Sequence, residues 1–361
     1  MPPPPTLVLG SGVIGLRTAL LLSRAGARVS VRSAGPSASG ASPGAGGLWM
    51  PHACADPRVS RWAKRTLADY LRMHAAGDGA VEMVPAVALL DAPAVRPTGD
   101  TNTYNQPAGG DTPAWAADPA LNFQSFSTPQ LRWQAQVTGA HVPAVAGEYG
   151  NAWAWRGPVV DAPRNLGDME REIVERGGRI DKESAFESAD EARAAAVRDG
   201  CGGVVNCLGG AGGLLTGDGE VKLARGVLKI YKRPEGFNTA VLVDQPPLAT
   251  PERPIYCIPR GDVVLVGGTH LEGDMEEGVR EEEHAFLREH AKMLLPGGGE
   301  GFEEIGDWVG WRPVREGGVK LGLNEELSRG VRWVDNYGHG GSGWTIATGC
   351  AEDARDLILA E

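Results

Sequence analysis

Two observations predict an α/β fold for this chain of 361 residues. First, residues 6–32 read as an apolar strand, a glycine-rich turn, a helix and a second strand, which together form one βαβ unit. Second, a similar pattern recurs further along, where residues 166–176 are helical and residues 203–207 form an apolar run. Strands that alternate with helices favour a mainly parallel sheet covered by helices.

The turn of the first βαβ unit carries a nucleotide-binding fingerprint. Gly10, Gly12 and Gly15 form a G-x-G-x-x-G motif between the first strand and the helix. Gly10 permits the tight turn, Gly12 lets a pyrophosphate approach the backbone, and Gly15 allows the helix to pack closely on the sheet. The free N–H groups of the first helical turn, which includes Val13 and Ile14, then face the phosphates. The motif indicates a dinucleotide without distinguishing which one.

The end of the second strand departs from the usual Rossmann pattern. An acidic residue commonly stands there and binds the ribose hydroxyls. Arg32 and Ser33 occupy this position here. Either Ser33 or backbone groups replace the carboxylate, or the ribose is held less tightly. Arg32 also leaves NADP open as an alternative cofactor.

Composition and charge argue against several functional classes. The formal net charge of −11 disfavours nucleic acid and anionic membranes as partners. No apolar run reaches the roughly 18 residues of a membrane-spanning helix. The five cysteines lack C-x-x-C spacing, so we expect reduced thiols in an intracellular protein and no metal site. Both cytoplasm and peroxisome fit this expectation, although the last residues are not a Ser-Lys-Leu type peroxisomal signal.

Five segments, in order along nearly the whole chain, resemble the D-amino-acid oxidase family, which includes the D-aspartate oxidases. They are the N-terminal fingerprint, Gly-Gly-Leu-Trp-Met-Pro at 46–51, Val-Asn-Cys-Leu-Gly at 205–209, Ile-Tyr-Cys-Ile-Pro at 255–259 with Val-Gly-Gly-Thr at 266–269, and Gly-Trp-Arg-Pro-Val-Arg at 310–315 with Asn-Tyr-Gly-His-Gly-Gly at 336–341. The resemblance implies an enzyme with FAD as cofactor and with a D-amino acid and dioxygen as substrates. Hydride would pass from the α carbon to flavin N5, giving an imino acid, then a 2-oxo acid and ammonia, with release of hydrogen peroxide.

The resemblance also implies two domains that are discontinuous in sequence. Residues 1–55, 156–225 and 305–361 carry the βαβ-like segments and are assigned to a Rossmann-like FAD-binding domain with a mainly parallel sheet. Residues 56–155 and 226–304 interrupt that pattern and are assigned to a mixed-sheet domain that binds the substrate. A homodimer is the assembly that we consider for such a chain.

Individual residues receive roles from the same resemblance. Arg312 would clamp the substrate carboxylate through two parallel hydrogen bonds. Tyr256 would donate its hydroxyl to that carboxylate, and the carbonyl of Gly341 would accept from the amine. A helix beginning near residue 343 would stabilise reduced flavin with its positive end. The residues expected to contact FAD are Gly10, Gly12, Val13, Ile14, Gly15, Arg32, Ser33, Ser42, Ala45, Gly46, Gly47, Leu48, Cys207, Gly209, Arg312, Gly338, Gly340, Gly341, Gly343, Trp344 and Thr345.

Two histidines bear on the choice of substrate. His270 follows the Gly-Gly-Thr segment and His52 follows the Trp-Met-Pro segment. D-aspartate oxidases can carry a cation at the first of these places, so two histidines in one pocket would favour an acidic substrate. A roomy polar pocket would instead suit neutral and polar D-amino acids, which we expect to be preferred. Beyond D-aspartate oxidase, the alternatives are a glycine or sarcosine oxidase, an NADP-dependent dehydrogenase and a non-enzymatic nucleotide-binding protein.

Overall fold

The computed structural model describes residues 2–35, 40–51, 54, 56–90, 113–138, 141–243 and 245–360. Its strands are β1 (Thr6–Leu9), β2 (Val29–Arg32), β3 (Val81–Leu90), β4 (Gln124–Ser127), β5 (Asn151–Val160), β6 (Arg179–Asp181), β7 (Gly203–Asn206), β8 (Val221–Lys232), β9 (Ala240–Val243), β10 (Ile255–Arg260), β11 (Val263–Gly267), β12 (Leu271–Glu272), β13 (Glu304–Arg315), β14 (Lys320–Leu323) and β15 (Arg332–Tyr337).

Helices separate most of the strands of the first sheet, whereas β8 to β12 follow one another without an α-helix between them among the described residues. The helices are α1 (Val13–Arg24), α2 (Ala41–Gly44), α3 (Val59–Ala75), α4 (Thr128–Thr138), α5 (Ala162–Glu175), α6 (Ala189–Arg198), α7 (Gly210–Thr216), α8 (Glu281–Leu294) and α9 (Gly343–Leu359). Among the described helices, none is long and apolar enough to cross a membrane.

The first sheet is a six-stranded, mainly parallel sheet in the order β14-β15-β7-β1-β2-β6. Strand β1 pairs in parallel with β2 and β7, and β15 and β6 extend the parallel ladder on either side. Only β14 is antiparallel among these described strands. Helix α1 buries Leu16, Ala19 and Leu20 in the main core of the molecule. This sheet confirms the α/β fold class.

The second sheet is mixed and contains nine described strands, in the order β12-β8-β11-β10-β9-β3-β5-β4, with β13 paired to the other edge of β8. Most neighbours are antiparallel, and β3 with β9 is a parallel pair. Strand β13 belongs to this sheet through its pairing with β8, although the boundary predicted at residue 305 assigns it to the nucleotide-binding domain. The domain boundaries stay a prediction.

Helix α8 begins later than its sequence pattern suggests. An amphipathic helix over residues 275–295 is predicted, but the structure begins it at Glu281. The backbone N–H of Arg280 donates to the Glu283 carboxylate at 2.9 Å, which is the capping-box arrangement that starts a helix. The acidic residues before it lie outside the helix because this cap fixes the first turn.

Candidate active site

A cavity of about 600 Å³ lies where the carboxyl ends of the parallel strands meet. Gly10 after β1, Ser33 after β2 and Cys207 after β7 line one end of it. The opposite end is lined from the mixed sheet, by Tyr256 of β10 and Arg312 of β13 among others. The carboxyl edge of a parallel sheet is the usual ligand site in open α/β folds.

The glycine turn after β1 leaves no space for side chains. Gly10 has φ +102°, and a Cβ there would lie 2.5 Å from the carbonyl oxygen of Cys207. A Cβ on Gly15 would lie 1.9 Å from the carbonyl oxygen of Gly10. Both positions therefore require glycine, the first for its backbone conformation and the second for close packing of α1 on the turn.

Helix α1 presents its N-terminus to the cavity. Its N-cap residue, Gly12, has no side chain to satisfy the N–H groups of the first turn. The N–H of Val13 donates to Ser42 Oγ at 3.0 Å, so the loop after β2 folds over this end. The positive end of the helix dipole and its free N–H groups suit a pyrophosphate.

The loop before and within α2 is held against the cavity from two sides. Arg260 Nη1 donates to the carbonyl oxygens of Pro43, at 2.7 Å, and of Ala45, at 2.5 Å. Trp344 Nε1 donates to the carbonyl oxygen of Ser42 at 2.9 Å. Burial of Arg260 lowers its pKa to about 10, which still leaves it charged at neutral pH. A glycine-rich segment that resembles a linker by composition is thereby fixed in one position.

A second helix N-terminus reaches the same cavity. Helix α9 begins at Gly343, and its N-cap Ser342 makes no side-chain cap hydrogen bond. Tyr70 donates to the Trp344 carbonyl at 2.7 Å, and Thr345 Oγ donates to the Met50 carbonyl at 3.0 Å. These bonds fix the first turn of α9, whose positive end stabilises negative charge developing nearby.

Arg312 dominates the electrostatics of the cavity. Among the described residues, the lining of the cavity contains Arg312 but no lysine, aspartate or glutamate. The Arg312 guanidinium donates from Nη1 to the carbonyl oxygen of Thr269 at 2.8 Å. This contact leaves Nη2 and Nε for a ligand, and a planar guanidinium binds a carboxylate well.

Tyr256 lies close to the same carbonyl segment. Its phenol ring covers the two glycines before Thr269, since a Cβ on Gly267 would lie 2.3 Å from the Tyr256 hydroxyl, and one on Gly268 would lie 2.9 Å from it. The hydroxyl and the Arg312 guanidinium are thus placed beside neighbouring residues of one segment. Together they can bind a single carboxylate by three hydrogen bonds.

His270 lines the cavity next to this segment. Burial, with a smaller contribution from the positive charge of Arg312, lowers the pKa of His270 to about 4. The imidazole is therefore neutral at physiological pH. His339 also lines the cavity, and burial lowers its pKa to about 3, so it too is neutral. His52 lies outside the described residues.

Most residues expected to contact the cofactor line this one cavity. They are Gly10, Gly12, Val13, Ile14, Ser33, Ser42, Ala45, Gly46, Gly47, Leu48, Cys207, Gly209, Arg312, Gly340, Gly341, Gly343, Trp344 and Thr345. Gly15 lies behind the lining, against the turn, and Gly338 lies against the Arg315 side chain.

Arg32 points away from the cavity. Its guanidinium pairs with Asp199 at 2.7 Å and lies 5.4 Å from the centre of the Phe186 ring. The two side chains of this pair are 24% and 43% exposed, and Arg32 is not among the described residues that line the cavity. Ser33 lines the cavity instead and accepts a hydrogen bond from Ser11 at 2.9 Å.

Several residues at this site carry no local signal in the sequence. Gly226 lines the cavity itself, whereas Arg260 acts on it through the carbonyls of Pro43 and Ala45, and Thr269 acts through Arg312. The close approach of Trp308 to Gly44 was also missed; a Cβ on that glycine would overlap the indole at 2.0 Å. The pairing of β8 with its neighbours and the packing of α2 on the mixed sheet bring these residues to the site, and a single sequence reveals neither.

The family model for FAD dependent oxidoreductases matches residues 6–357. The chain belongs to this family. It is 30% identical over 354 residues to a D-amino-acid oxidase of Streptomyces coelicolor, covering 97% of this chain and 95% of that protein. It is 26% identical over 392 residues to a D-aspartate oxidase of Talaromyces thermophilus, covering 99% and 96% of the two chains.

The fold also has solved counterparts. Glycine oxidase from Bacillus cereus superimposes with a TM-score of 0.74 at 17% identity, covering 98% of this chain and 97% of that one. The resemblance to the D-amino-acid oxidases is thus confirmed, and the protein is a flavoprotein oxidase with FAD as its cofactor. The glycine turn and the two helix N-termini around one cavity fit a molecule with a pyrophosphate at one end and a reducible ring at the other.

Proposed function

We propose that this flavoprotein oxidises D-amino acids, with neutral and polar side chains preferred, to imino acids and produces hydrogen peroxide from dioxygen. The imino acid then hydrolyses to a 2-oxo acid and ammonia. Bound FAD supplies the acceptor for the α-hydrogen, which leaves as hydride, and is reoxidised by dioxygen. The D-amino-acid oxidase of Streptomyces coelicolor, which matches nearly the whole chain, supports the substrate class.

The observation that carries the proposal is the guanidinium of Arg312 in a cavity without acidic side chains. In the described lining no aspartate or glutamate neutralises it. An anionic ligand group would therefore pair favourably with this half-buried charge, and an amino-acid carboxylate fits its planar fork. In this arrangement Arg312 clamps the carboxylate, and Tyr256 donates a further hydrogen bond to the same group.

The amine is oriented by backbone in this proposal. The carbonyl of Gly341, which lines the cavity, accepts a hydrogen bond from the amine and stabilises the positive charge that develops on nitrogen as the α carbon is oxidised. The described lining contains no carboxylate or lysine that would take the α-proton, and the lowered pKa values of His270, about 4, and His339, about 3, make both histidines weak bases. Orientation and electrostatics, rather than a general base, are then what the protein contributes.

Neutral substrates are favoured by the state of His270. With its pKa lowered to about 4, the imidazole carries no charge that would attract an acidic side chain at neutral pH. The match to a D-aspartate oxidase favours D-aspartate as the second candidate substrate. Among the described residues that line the cavity, the charge of His270 is the feature that we expect to distinguish the two substrates.

A peroxide assay over a panel of amino acids, with added FAD, tests the substrate class. We expect D-alanine and D-methionine to give peroxide and their L-enantiomers, glycine and sarcosine to give little. Strong preference for D-aspartate would overturn the assignment to neutral substrates. Activity on sarcosine or glycine alone would overturn the assignment to D-amino acids.

Replacing Arg312 by leucine tests the clamp. We expect kcat/KM for D-alanine to fall by roughly 10²- to 10³-fold, because a charge-assisted, two-point contact to the carboxylate is lost. The flavin absorbance of the purified variant reports whether FAD remains bound, which we expect. Unchanged kinetics would exclude Arg312 from substrate binding.

A further inference from the structure

The Arg312 guanidinium does not stay above its own strand. It crosses the neighbouring strand β8 and lies against the backbone of Gly226, where a Cβ would be 2.5 Å from Nη1 and 2.8 Å from Cζ. From there Nη1 reaches the carbonyl oxygen of Thr269, on the segment that flanks the opposite edge of β8. Any side chain at residue 226 would obstruct this path.

Thr269 lies in a gap of the ladder between β8 and its neighbours. Strand β11 pairs with β8 as far as Leu228, and β12 resumes the pairing at Arg225. The Thr269 hydroxyl fills the gap, because it accepts from the Val227 N–H at 2.9 Å and donates to the Arg225 carbonyl at 3.3 Å. The residue is 1% exposed. Its side chain therefore fixes the carbonyl that Arg312 uses.

Tyr256 approaches from the other side in the same manner. It stands on β10 opposite Gly267 of β11, and its ring lies over that glycine, where a Cβ would be 2.2 Å from the Tyr256 Cζ. Arg312 thus extends over Gly226, and Tyr256 extends over Gly267. The two side chains come from strands on opposite sides and reach the same segment, residues 267–269.

We propose that Gly226, Gly267 and Thr269 are positioning residues for the carboxylate site. The two glycines keep open the paths along which Arg312 and Tyr256 reach the ligand, and Thr269 sets the angle of the guanidinium by holding Nη1. A guanidinium held at one nitrogen presents its remaining edge to the ligand in a single orientation. This inference rests on the proposed function, since it concerns how that clamp is aimed.

The first experiment compares Gly226→Ala with Gly306→Ala in the FAD-loaded enzyme. Gly306 lies on β13 and a Cβ there meets nothing within 4 Å, so it controls for the loss of a strand glycine. With Gly226→Ala we expect KM for D-alanine and the inhibition constant of propanoate to rise at least about tenfold. Flavin content should stay at the wild-type level, and Gly306→Ala should behave as wild type.

The second experiment compares Thr269→Val with Thr269→Ser. Valine keeps the shape but removes the hydroxyl, so we expect the propanoate inhibition constant to rise at least about tenfold, whereas serine restores it. Equal constants for Val, Ser and wild type, or an unchanged constant for Gly226→Ala, would overturn the positioning role. A wild-type enzyme that gives no peroxide with any D-amino acid would instead overturn the proposed function.

Discussion

We expect the charge of one side chain, His270, to influence which substrates suit the cavity. Burial and the nearby Arg312 lower its pKa to about 4, so it gains no charge between pH 6 and pH 9. The D-aspartate side chain is ionised over this whole range. We therefore expect the ratio of kcat/KM for D-aspartate to that for D-methionine to stay constant from pH 9 to pH 6. Steady-state kinetics with both substrates measures it.

The ratio removes effects that both substrates share, such as ionisation of the amine or of the cofactor. If His270 titrated near its ordinary pKa, the ratio would rise as pH falls below 7, because the imidazolium would attract the second carboxylate. Such a rise in wild type, absent in His270→Gln, would contradict the neutral histidine. A flat profile in both enzymes agrees with it.

At the residue scale, the sequence predicts the parts of the site that depend on local chemistry. Gly10 and Gly15 were found because a tight turn and a close helix contact require glycine at a fixed spacing. Gly226 carries no such signal, because a side chain is excluded there only by Arg312, which lies 86 positions away in sequence. The two residues come together only when β8 and β13 pair. The pairing of Arg32 with Asp199, the residue that follows α6, also depends on a distant part of the chain, so no local pattern indicates it.

At the scale of elements, two arginines on α1 differ in their burial and in the partners that they bind. Arg17 is buried, with a side chain 3% exposed, and joins Asp69 of α3 at 3.1 Å and Asn165 of α5 at 3.2 Å. Arg24 is 43% exposed and pairs with Glu172 of α5 at 2.7 Å. Removing one partner of a buried pair leaves a desolvated charge, whereas an exposed pair contributes little.

We expect Arg17→Met to lower the free energy of unfolding by roughly 3–5 kcal/mol, and Arg24→Met by less than about 1 kcal/mol. Urea unfolding of the two FAD-loaded variants, beside wild type, gives both values. The pair is matched because both arginines leave the same helix and reach α5. Equal losses for the two variants would contradict a dominant role for the buried network.

The cofactor loop depends on an element of the other sheet. Arg260 at the end of β10 bonds to the carbonyls of Pro43 and Ala45, and so orders the segment that closes over the α1 N-terminus. We expect Arg260→Met to raise the dissociation constant of FAD at least about tenfold, because the loop must then be ordered on binding. Quenching of flavin fluorescence on titration of the apoprotein measures this constant.

Arg156 supplies the control for that measurement. It is exposed and also donates to a backbone carbonyl, that of Met83, at 3.1 Å, away from the cavity lining. Arg156→Met should bind FAD as wild type does. An Arg260→Met protein with unchanged affinity would show that the loop is ordered without this contact.

At the scale of the whole molecule, the α/β class was predictable because hydrophobic periodicity and glycine turns are local signals. The order of strands in the mixed sheet was not, since β3 pairs with β9 and β8 with β13 across long stretches of chain. The predicted start of α8 at residue 275 is wrong, because the acidic residues before the cap at Arg280 continue the helical pattern towards the N-terminus.

Three buried or half-buried histidines are expected to make the whole protein less stable in mild acid. Burial lowers the pKa of His270 and His290 to about 4 and that of His339 to about 3. Between pH 6.5 and 4.5 the unfolded chain takes up protons at these positions and the folded protein does not. The free energy of unfolding therefore falls as pH falls, by up to about 1.4 kcal/mol per pH unit for each such histidine.

His290 allows this to be tested away from the cavity, because it is buried against the Gly267 carbonyl at 3.3 Å and does not line the site. We expect the urea midpoint of the FAD-saturated wild type to fall steadily from pH 6.5 to pH 4.5. In His290→Gln the urea midpoint should fall less steeply with pH, because glutamine takes up no proton when the chain unfolds. The comparison concerns this slope, so a loss of stability in the variant at pH 7 does not affect it. Parallel pH profiles for the two proteins would show that the pKa of His290 is the same in the folded and unfolded states.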